Sequence, residues 1–148
     1  MLRRIQLVFF LVLGFTLLPH AEVTHRADKG KIVLRDDEWL QRWYDSDNEI
    51  YFQNQLPHIP VTWADLGKNK KGQYIMGDTA ETAGGVAVYI RIDRYSNVTG
   101  GEALLSLRHE ECHAKVDPRL PTDADPHGDE FQNCMIGLAD AGAFKGAW

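Results

Sequence analysis

Cysteine is scarce in this chain, and negative charge outweighs positive charge. The 148 residues include two cysteines, at positions 112 and 134, which excludes any zinc site built from four thiolates. The formal net charge is −5, which argues against nucleic acid as a partner because phosphates favour basic surfaces. No internal repeat is visible along the chain. One compact domain, preceded by a separate N-terminal segment, is the organisation that we expect.

The N-terminal segment carries the longest apolar run. Two arginines precede residues 7–18, which are mostly large and apolar, and this length is typical of a signal-peptide core and short for a membrane span. We expect residues 1–21 to be a signal peptide, with an uncleaved anchor through residues 5–18, or a buried first helix of the domain, as the alternatives. Residues 22–35 are polar and charged, which predicts a linker. The protein would then be exported to the periplasm or the cell exterior.

The motif H-E-x-x-H carries the clearest chemical meaning in the sequence. It is formed by His109, Glu110 and His113. Residues four apart lie on one face of a helix, so the two imidazoles can point at one metal ion. The glutamate beside the first ligand is placed to act as a base toward a metal-activated water. The alternative is a pair of core histidines on an ordinary amphipathic helix.

The residues around the motif predict a helix with defined ends. Thr99 and Glu102 have the spacing of a capping box, so the helix is expected to begin at about Gly100. It is expected to end at about Val116, because the Asp-Pro pair that follows disfavours further helix.

This helix is predicted to be two-sided. His109 and Cys112 share one stripe, and Arg108 and Glu111 spread over the other side. Cys112 would then face Cys134 of a following helix, and the two could pair in an oxidising compartment. Two small buried apolar side chains are slightly favoured over a disulfide, because the sequence does not fix their separation.

A third histidine follows the motif after a proline-rich loop. Asp125 and Pro126 have the pattern of an N-cap and a first helical residue, which predicts a second helix over residues 126–143. His127 would lie at its start, on the face that also holds Phe131. A hydrolytic zinc site takes three protein ligands, so His127 is the candidate third ligand; the alternative is a solvated residue at a helix start.

The remaining sequence predicts an α+β domain. Residues 36–55 have an apolar stripe at helical spacing. Residues 61–66 and 86–93 are expected to be strands, with a possible short strand at 74–76 and a turn at 67–72. The expected order is therefore an N-terminal helix, a small sheet, an active-site helix and a ligand helix.

The chain from about Asp36 onward resembles the SprT-like zinc metallopeptidases, which include the Spartan proteases. Four segments carry the resemblance. Residues 104–114 are similar to the family's active-site helix, and residues 125–131 to its H-G-x-x-F element. Residues 51–57 and 60–63 are similar to a helix end and to the first strand. The resemblance implies a small zincin-like metallopeptidase core over residues 36–148. It differs from many members in lacking the four-cysteine C-terminal zinc ribbon, and from the intracellular members in its export signal.

By this resemblance, His109, His113 and His127 bind Zn²⁺ and Glu110 is the general base. The expected function is a zinc-dependent endopeptidase that acts on a protein or peptide substrate. The substrate strand could add to a sheet edge at residues 86–93, and Tyr74 and Tyr89 are weak candidates for a second oxyanion donor. The alternative is an exported zinc-binding scaffold or interaction domain without protease activity, although zinc binding alone does not require the glutamate.

Overall fold

A computed structural model describes residues 36–69, 73–121 and 124–146. The expected signal peptide at 1–21 and the linker at 22–35 lie outside these residues. The elements in chain order are helix α1 (Asp37–Ile50), strands β1 (Val61–Ala64), β2 (Gly77–Glu81) and β3 (Ala87–Asp93), helix α2 (Gly100–Val116), a 3₁₀ turn (Asp117–Arg119) and helix α3 (Asp129–Asp140). The α+β class is confirmed. Within the described part of the chain, no helix is long and apolar enough to cross a membrane.

The three strands form one sheet in the order β1-β3-β2. Strand β1 runs parallel to β3, with Val61 opposite Ile90, whereas β2 runs antiparallel, with Thr79 opposite Ile90. Strand β3 is therefore the central strand, with β1 paired to residues 90–93 and β2 paired along residues 87–92, so the expectation that residues 86–93 form an edge strand for the substrate is wrong. Among the described residues the free edges belong to β1 and β2.

Strand β2 was not expected from the sequence, and the predicted short strand at 74–76 is wrong. Within that segment Tyr74 makes only an isolated bridge to Lys68. The segment Gly77–Glu81 contains a single β-branched residue, Thr79. It is a strand because β3, which is rich in β-branched residues, offers it an antiparallel partner.

Helix α2 lies at the centre of the domain and packs against the sheet and both other helices. Its bounds match the prediction, and Thr99 and Glu102 form the expected capping box. Arg108 and Glu111, which were placed on the side away from the stripe of His109 and Cys112, are buried along with the apolar residues. A helix enclosed on all sides must bury polar side chains on each face and satisfy or neutralise them.

A buried ion pair connects α2 to α1. The guanidinium of Arg108 donates to both carboxylate oxygens of Asp47, at 2.8 and 3.1 Å, and also to the carbonyl of Ala143. The side chains of the pair are 4% and 1% exposed. Bidentate geometry of this kind fixes the orientation of one helix against the other, so the register of α2 in the core is set.

A second polar link joins α2 to the sheet. The amide of Asn97 donates to the carbonyls of Met76 and Asp93, at 2.8 and 2.7 Å. The hydroxyl of Ser106 on α2 donates to the Asn97 side-chain oxygen at 2.6 Å. The start of β2, the end of β3 and the first half of α2 are therefore held together beside the face that carries the motif.

Two helix ends differ from the predicted ones. Helix α1 begins after its N-cap Asp36 as expected but ends at Ile50, because Gln53 and Asn54 adopt left-handed backbone conformations, with φ of 56° and 58°. Helix α3 begins at Asp129, with Gly128 as its N-cap. The prediction that Asp125 caps the helix with Pro126 at its first position is therefore wrong, since a turn separates them from the helix.

Candidate metal centre

The three predicted ligands converge on one point. The Nε2 atoms of His109 and His113 are 3.3 Å apart, and each lies 3.2 Å from Nε2 of His127. Two of these side chains come from adjacent turns of α2, and the third comes from the turn before α3. These three residues could hold a metal ion.

Hydrogen bonding alone does not explain this triangle. Each neutral imidazole nitrogen is either a donor or an acceptor, so three nitrogens in mutual contact cannot all be satisfied by protons they already carry. His113 is further restricted, because its Nδ1 lies 2.9 Å from Oδ2 of Asp117. When Nδ1 donates to this carboxylate, Nε2 is left with a lone pair, which is the tautomer that binds a metal.

Asp117 was predicted only as part of a helix stop, and the structure gives it a second role. It follows His113 by four residues, so it lies one turn further along the same face. This spacing is visible in the sequence, and it could have indicated that Asp117 contacts the ring of His113. Carboxylates in this position orient metal-binding histidines in many metal sites.

His127 is held from two directions. Its backbone N–H donates to Oδ1 of Asp125 at 2.9 Å, within the turn that replaces the predicted helix start. The ring of Phe131, which is 3% exposed, lies 4.6 to 4.8 Å between centroids from all three imidazoles. Phe131 therefore supports the whole histidine cluster from the core, while His127 itself remains exposed to solvent.

The three histidines differ in their electrostatic environment. Burial, followed by the adjacent His113 and His127, lowers the pKa of His109 to about 4. Burial also lowers the pKa of His113, although Asp117 opposes that shift. Both imidazoles are thus kept neutral near pH 7, as metal coordination requires.

Glu110 is buried beside the histidines, with 6% exposure. Burial raises the pKa of its carboxyl to about 7 in the metal-free protein; a hydrogen bond from Thr79 opposes the shift, and Asp78 and Asp117 add to it. A group that accepts and returns a proton works best with a pKa near the working pH. A cation bound next to it would lower this pKa by charge attraction.

Glu111, the neighbour of Glu110, faces the other side of α2 and enters the core. It is fully buried, and neither carboxyl oxygen has a hydrogen-bond partner. Burial, followed by the nearby Asp47, raises its pKa well above the ordinary value. Burial therefore favours the neutral form of the Glu111 carboxyl, and the guanidinium of Arg108 pairs with the carboxylate of Asp47.

Cys112 and Cys134 form a disulfide that connects α2 to α3, with the Cα atoms 5.8 Å apart. The slight preference for two unpaired cysteines was therefore wrong. Cys112 directly precedes His113, and Cys134 lies one turn beyond Phe131. The covalent link thus joins the helix that carries two histidines to the helix that follows the third.

The two tyrosines considered as oxyanion donors make other contacts. Tyr74 is 65% exposed and lies under the ammonium of Lys68. The guanidinium of Arg91 lies over the ring of Tyr89, and Arg91 is itself paired with Asp78 on β2. No contact joins either tyrosine to the histidine cluster within the described part of the chain.

Comparisons of the chain with protein-family models, with curated proteins and with solved structures gave no match.

Proposed function

We propose that the protein is a zinc-dependent endopeptidase of the SprT-like, zincin-like type. The observation that carries this proposal is the triangle of Nε2 atoms beside a buried glutamate. Tetrahedral coordination with Zn–N bonds of about 2.0–2.1 Å places ligand nitrogens about 3.3 Å apart. The observed separations of 3.2 to 3.3 Å fit this value. Three protein ligands leave one position for reactants, as in catalytic zinc sites.

The proposed chemistry divides between the metal and Glu110. When bound, Zn²⁺ would supply Lewis-acid activation of water and stabilise negative charge on the attacked carbonyl. Glu110 takes a proton from the attacking water and then delivers it to the amine that leaves. His109, His113 and His127 remain neutral ligands, and Asp117 keeps the ring of His113 in the metal-binding tautomer.

The substrate would bind along the free edge of β2. This strand contacts the glutamate directly, because Thr79 donates to the Glu110 carboxylate at 2.7 Å. The outer edge of β2 offers backbone groups that an extended peptide could pair with. A peptide added there would pass beside the glutamate, which the central strand β3 could not achieve.

Export remains part of the proposal. The disulfide between Cys112 and Cys134 is the kind of bond that persists in oxidising compartments. The apolar segment at residues 7–18 has the length of a signal-peptide core. We therefore propose a periplasmic or extracellular protein, with an N-terminal membrane anchor as the alternative.

The test combines metal content with hydrolysis. Elemental mass spectrometry of the purified chain, never exposed to chelator, is expected to give about one zinc per chain. His127→Ala should lose most of it, whereas His58→Ala, an exposed histidine before β1, should retain it. Hydrolysis of a fluorogenic peptide library should fall at least about 100-fold in Glu110→Gln, because a positioned base contributes about that much or more.

The possible outcomes separate the hypotheses. Folded protein that contains no zinc would reject the metal centre. Zinc in both the wild type and Glu110→Gln, with no hydrolysis by either, would favour the scaffold alternative. Cleavage by Glu110→Gln at the wild-type rate would reject the role of Glu110.

A further inference from the structure

We propose that strand β2 is a positioning element for the general base, and that Thr79 is the residue that orients Glu110. This inference rests on the proposed function, since it concerns the same site. Neither β2 nor Thr79 belongs to the H-E-x-x-H motif or to its third ligand. The structure nevertheless packs this strand against α2, where Thr79 contacts the glutamate.

The contact between Thr79 and Glu110 is short and specific. The Thr79 hydroxyl lies 2.7 Å from Oε2 of Glu110 and 3.3 Å from the Glu110 carbonyl oxygen. A hydroxyl has one proton to donate, and the shorter distance assigns it to the carboxylate. No other side chain in the described ranges donates to this carboxylate, so Thr79 is the group that selects its orientation.

Because Oε2 is held by Thr79, proton transfer is left to Oε1. The backbone of Gly77, two residues earlier on the same face of β2, borders this second oxygen. A Cβ atom at Gly77 would lie 3.1 Å from Oε1 and 3.1 Å from Cγ of Glu110. Because Gly77 has no side chain, Oε1 of Glu110 can lie close to the backbone of β2.

The two positions act together because of strand geometry. Side chains two apart in a strand point to the same face, so Gly77 and Thr79 both face α2. Gly77 leaves room for the Glu110 carboxylate, and Thr79 donates a hydrogen bond to it. Strand β2 is fixed by its pairing with β3 and by the Asn97 contact to the carbonyl of Met76, so both features are held at fixed positions beside the base.

A group that must move a proton loses rate when its orientation relaxes, even if it is still present. Thr79 touches the base and not the proposed metal ligands. Loss of its hydroxyl should therefore lower kcat and leave both zinc content and KM close to those of the wild type. A general disturbance of the fold would instead lower zinc content or raise KM.

The test uses the full chain and four variants. Thr79→Val removes the hydroxyl with almost no change in shape and should lower kcat by about 10-fold or more. Thr79→Ser keeps the hydroxyl and should restore kcat to within about 3-fold of the wild type. Gly77→Ala should lower kcat by crowding Glu110, and Thr62→Val on β1, at the opposite edge of the sheet, should not change it.

A second readout does not depend on activity. The urea midpoints of the wild type, Thr79→Val, Glu110→Ala and the double variant form a cycle measured on metal-free protein. Non-additive shifts are expected, because Thr79 has no carboxylate to bind once Glu110 is removed. Additive shifts would overturn the inference, as would full kcat in Thr79→Val or failure of Thr79→Ser to restore it.

Failure of this inference is distinguishable from failure of the proposed function. If the protein is not a peptidase, neither the wild type nor any variant hydrolyses the library, and the urea cycle alone decides whether Thr79 and Glu110 interact. If it is a peptidase and Thr79 is irrelevant, Glu110→Gln loses activity whereas Thr79→Val keeps it.

Discussion

The three histidines come from two regions that are built differently. His109 and His113 lie on α2, which is enclosed by the domain and fixed by the ion pair between Arg108 and Asp47. His127 lies on an exposed turn before α3 and is held by Asp125, by packing on Phe131 and by the disulfide. Two ligands therefore share the stability of the core, whereas the third depends on a local attachment. Substitutions in the two regions should therefore differ in their effects on stability and on zinc affinity.

The largest effect is expected from the region of α2. Arg108→Met leaves Asp47 as a buried charge without a partner, which costs about 3–5 kcal/mol of unfolding free energy. Urea denaturation followed by circular dichroism would measure this loss. Arg42→Met breaks only an exposed pair with Glu38 and should cost less than about 1 kcal/mol. Similar losses in the two variants would contradict the assigned importance of the buried pair.

The disulfide tests the attachment of the third ligand. Replacing both Cys112 and Cys134 by alanine removes a bond across 22 residues of sequence and should cost about 3 kcal/mol of unfolding free energy. Zinc affinity should fall as well, because α3 and the turn that carries His127 are then no longer covalently linked to α2. Titration with a fluorescent zinc indicator would measure it. An unchanged zinc affinity in a less stable protein would mean that Asp125 and Phe131 hold His127 without help from the disulfide.

The smallest effect is a dependence on pH in the metal-free protein. Burial lowers the pKa of His109 from 6.5 to about 4. Between these two pH values the imidazole is protonated in the unfolded chain and neutral in the folded chain. His109 should therefore contribute a loss of stability as the pH falls from about 6.5 toward 4, and this contribution should be absent above that window. Glu110 and Glu81 contribute in the opposite direction, because burial raises the pKa of each to about 7 and the folded chain then binds protons that the unfolded chain releases. Thermal melts of chelator-treated wild type and of a variant without this imidazole, at several pH values, would separate the His109 contribution from that of the carboxyl groups.

His109→Gln provides the control for the pH effect. Glutamine does not titrate, so the melting temperature of this variant should rise relative to that of the wild type as the pH falls from about 6.5 to about 4. Equal slopes would assign the dependence to other groups. Addition of zinc should steepen the decline in the wild type, because protons compete with the metal for the same nitrogens.

The sequence contained enough information for the helical half of the site. The bounds of α2 follow from a capping box at Thr99 and a proline after Asp117, and both signals are local. The pairing of His109 with His113 follows from helical periodicity alone. The third ligand required a tertiary assumption, and the structure brings His127 to the other two even though the predicted start of α3 was wrong.

The sheet side of the site was not predictable in the same way. Strand β2 has weak intrinsic strand preference and exists because β3 pairs with it. Thr79 contacts Glu110 across 31 positions of sequence, and Arg108 finds Asp47 across 61. Neither contact has a local pattern. The burial of Arg108 and Glu111 likewise depends on the elements that pack around α2, which the sequence of the helix does not specify.

The disulfide has one more consequence, which concerns the chain before it folds. Residues 112 and 134 close a ring that contains both His113 and His127, so an oxidised but unfolded chain keeps two of the three imidazoles at high effective concentration. Such a chain would retain weak metal affinity, and zinc would stabilise the native state by less than its native affinity alone implies. The same ring would let the metal be captured early, before the core has formed around it.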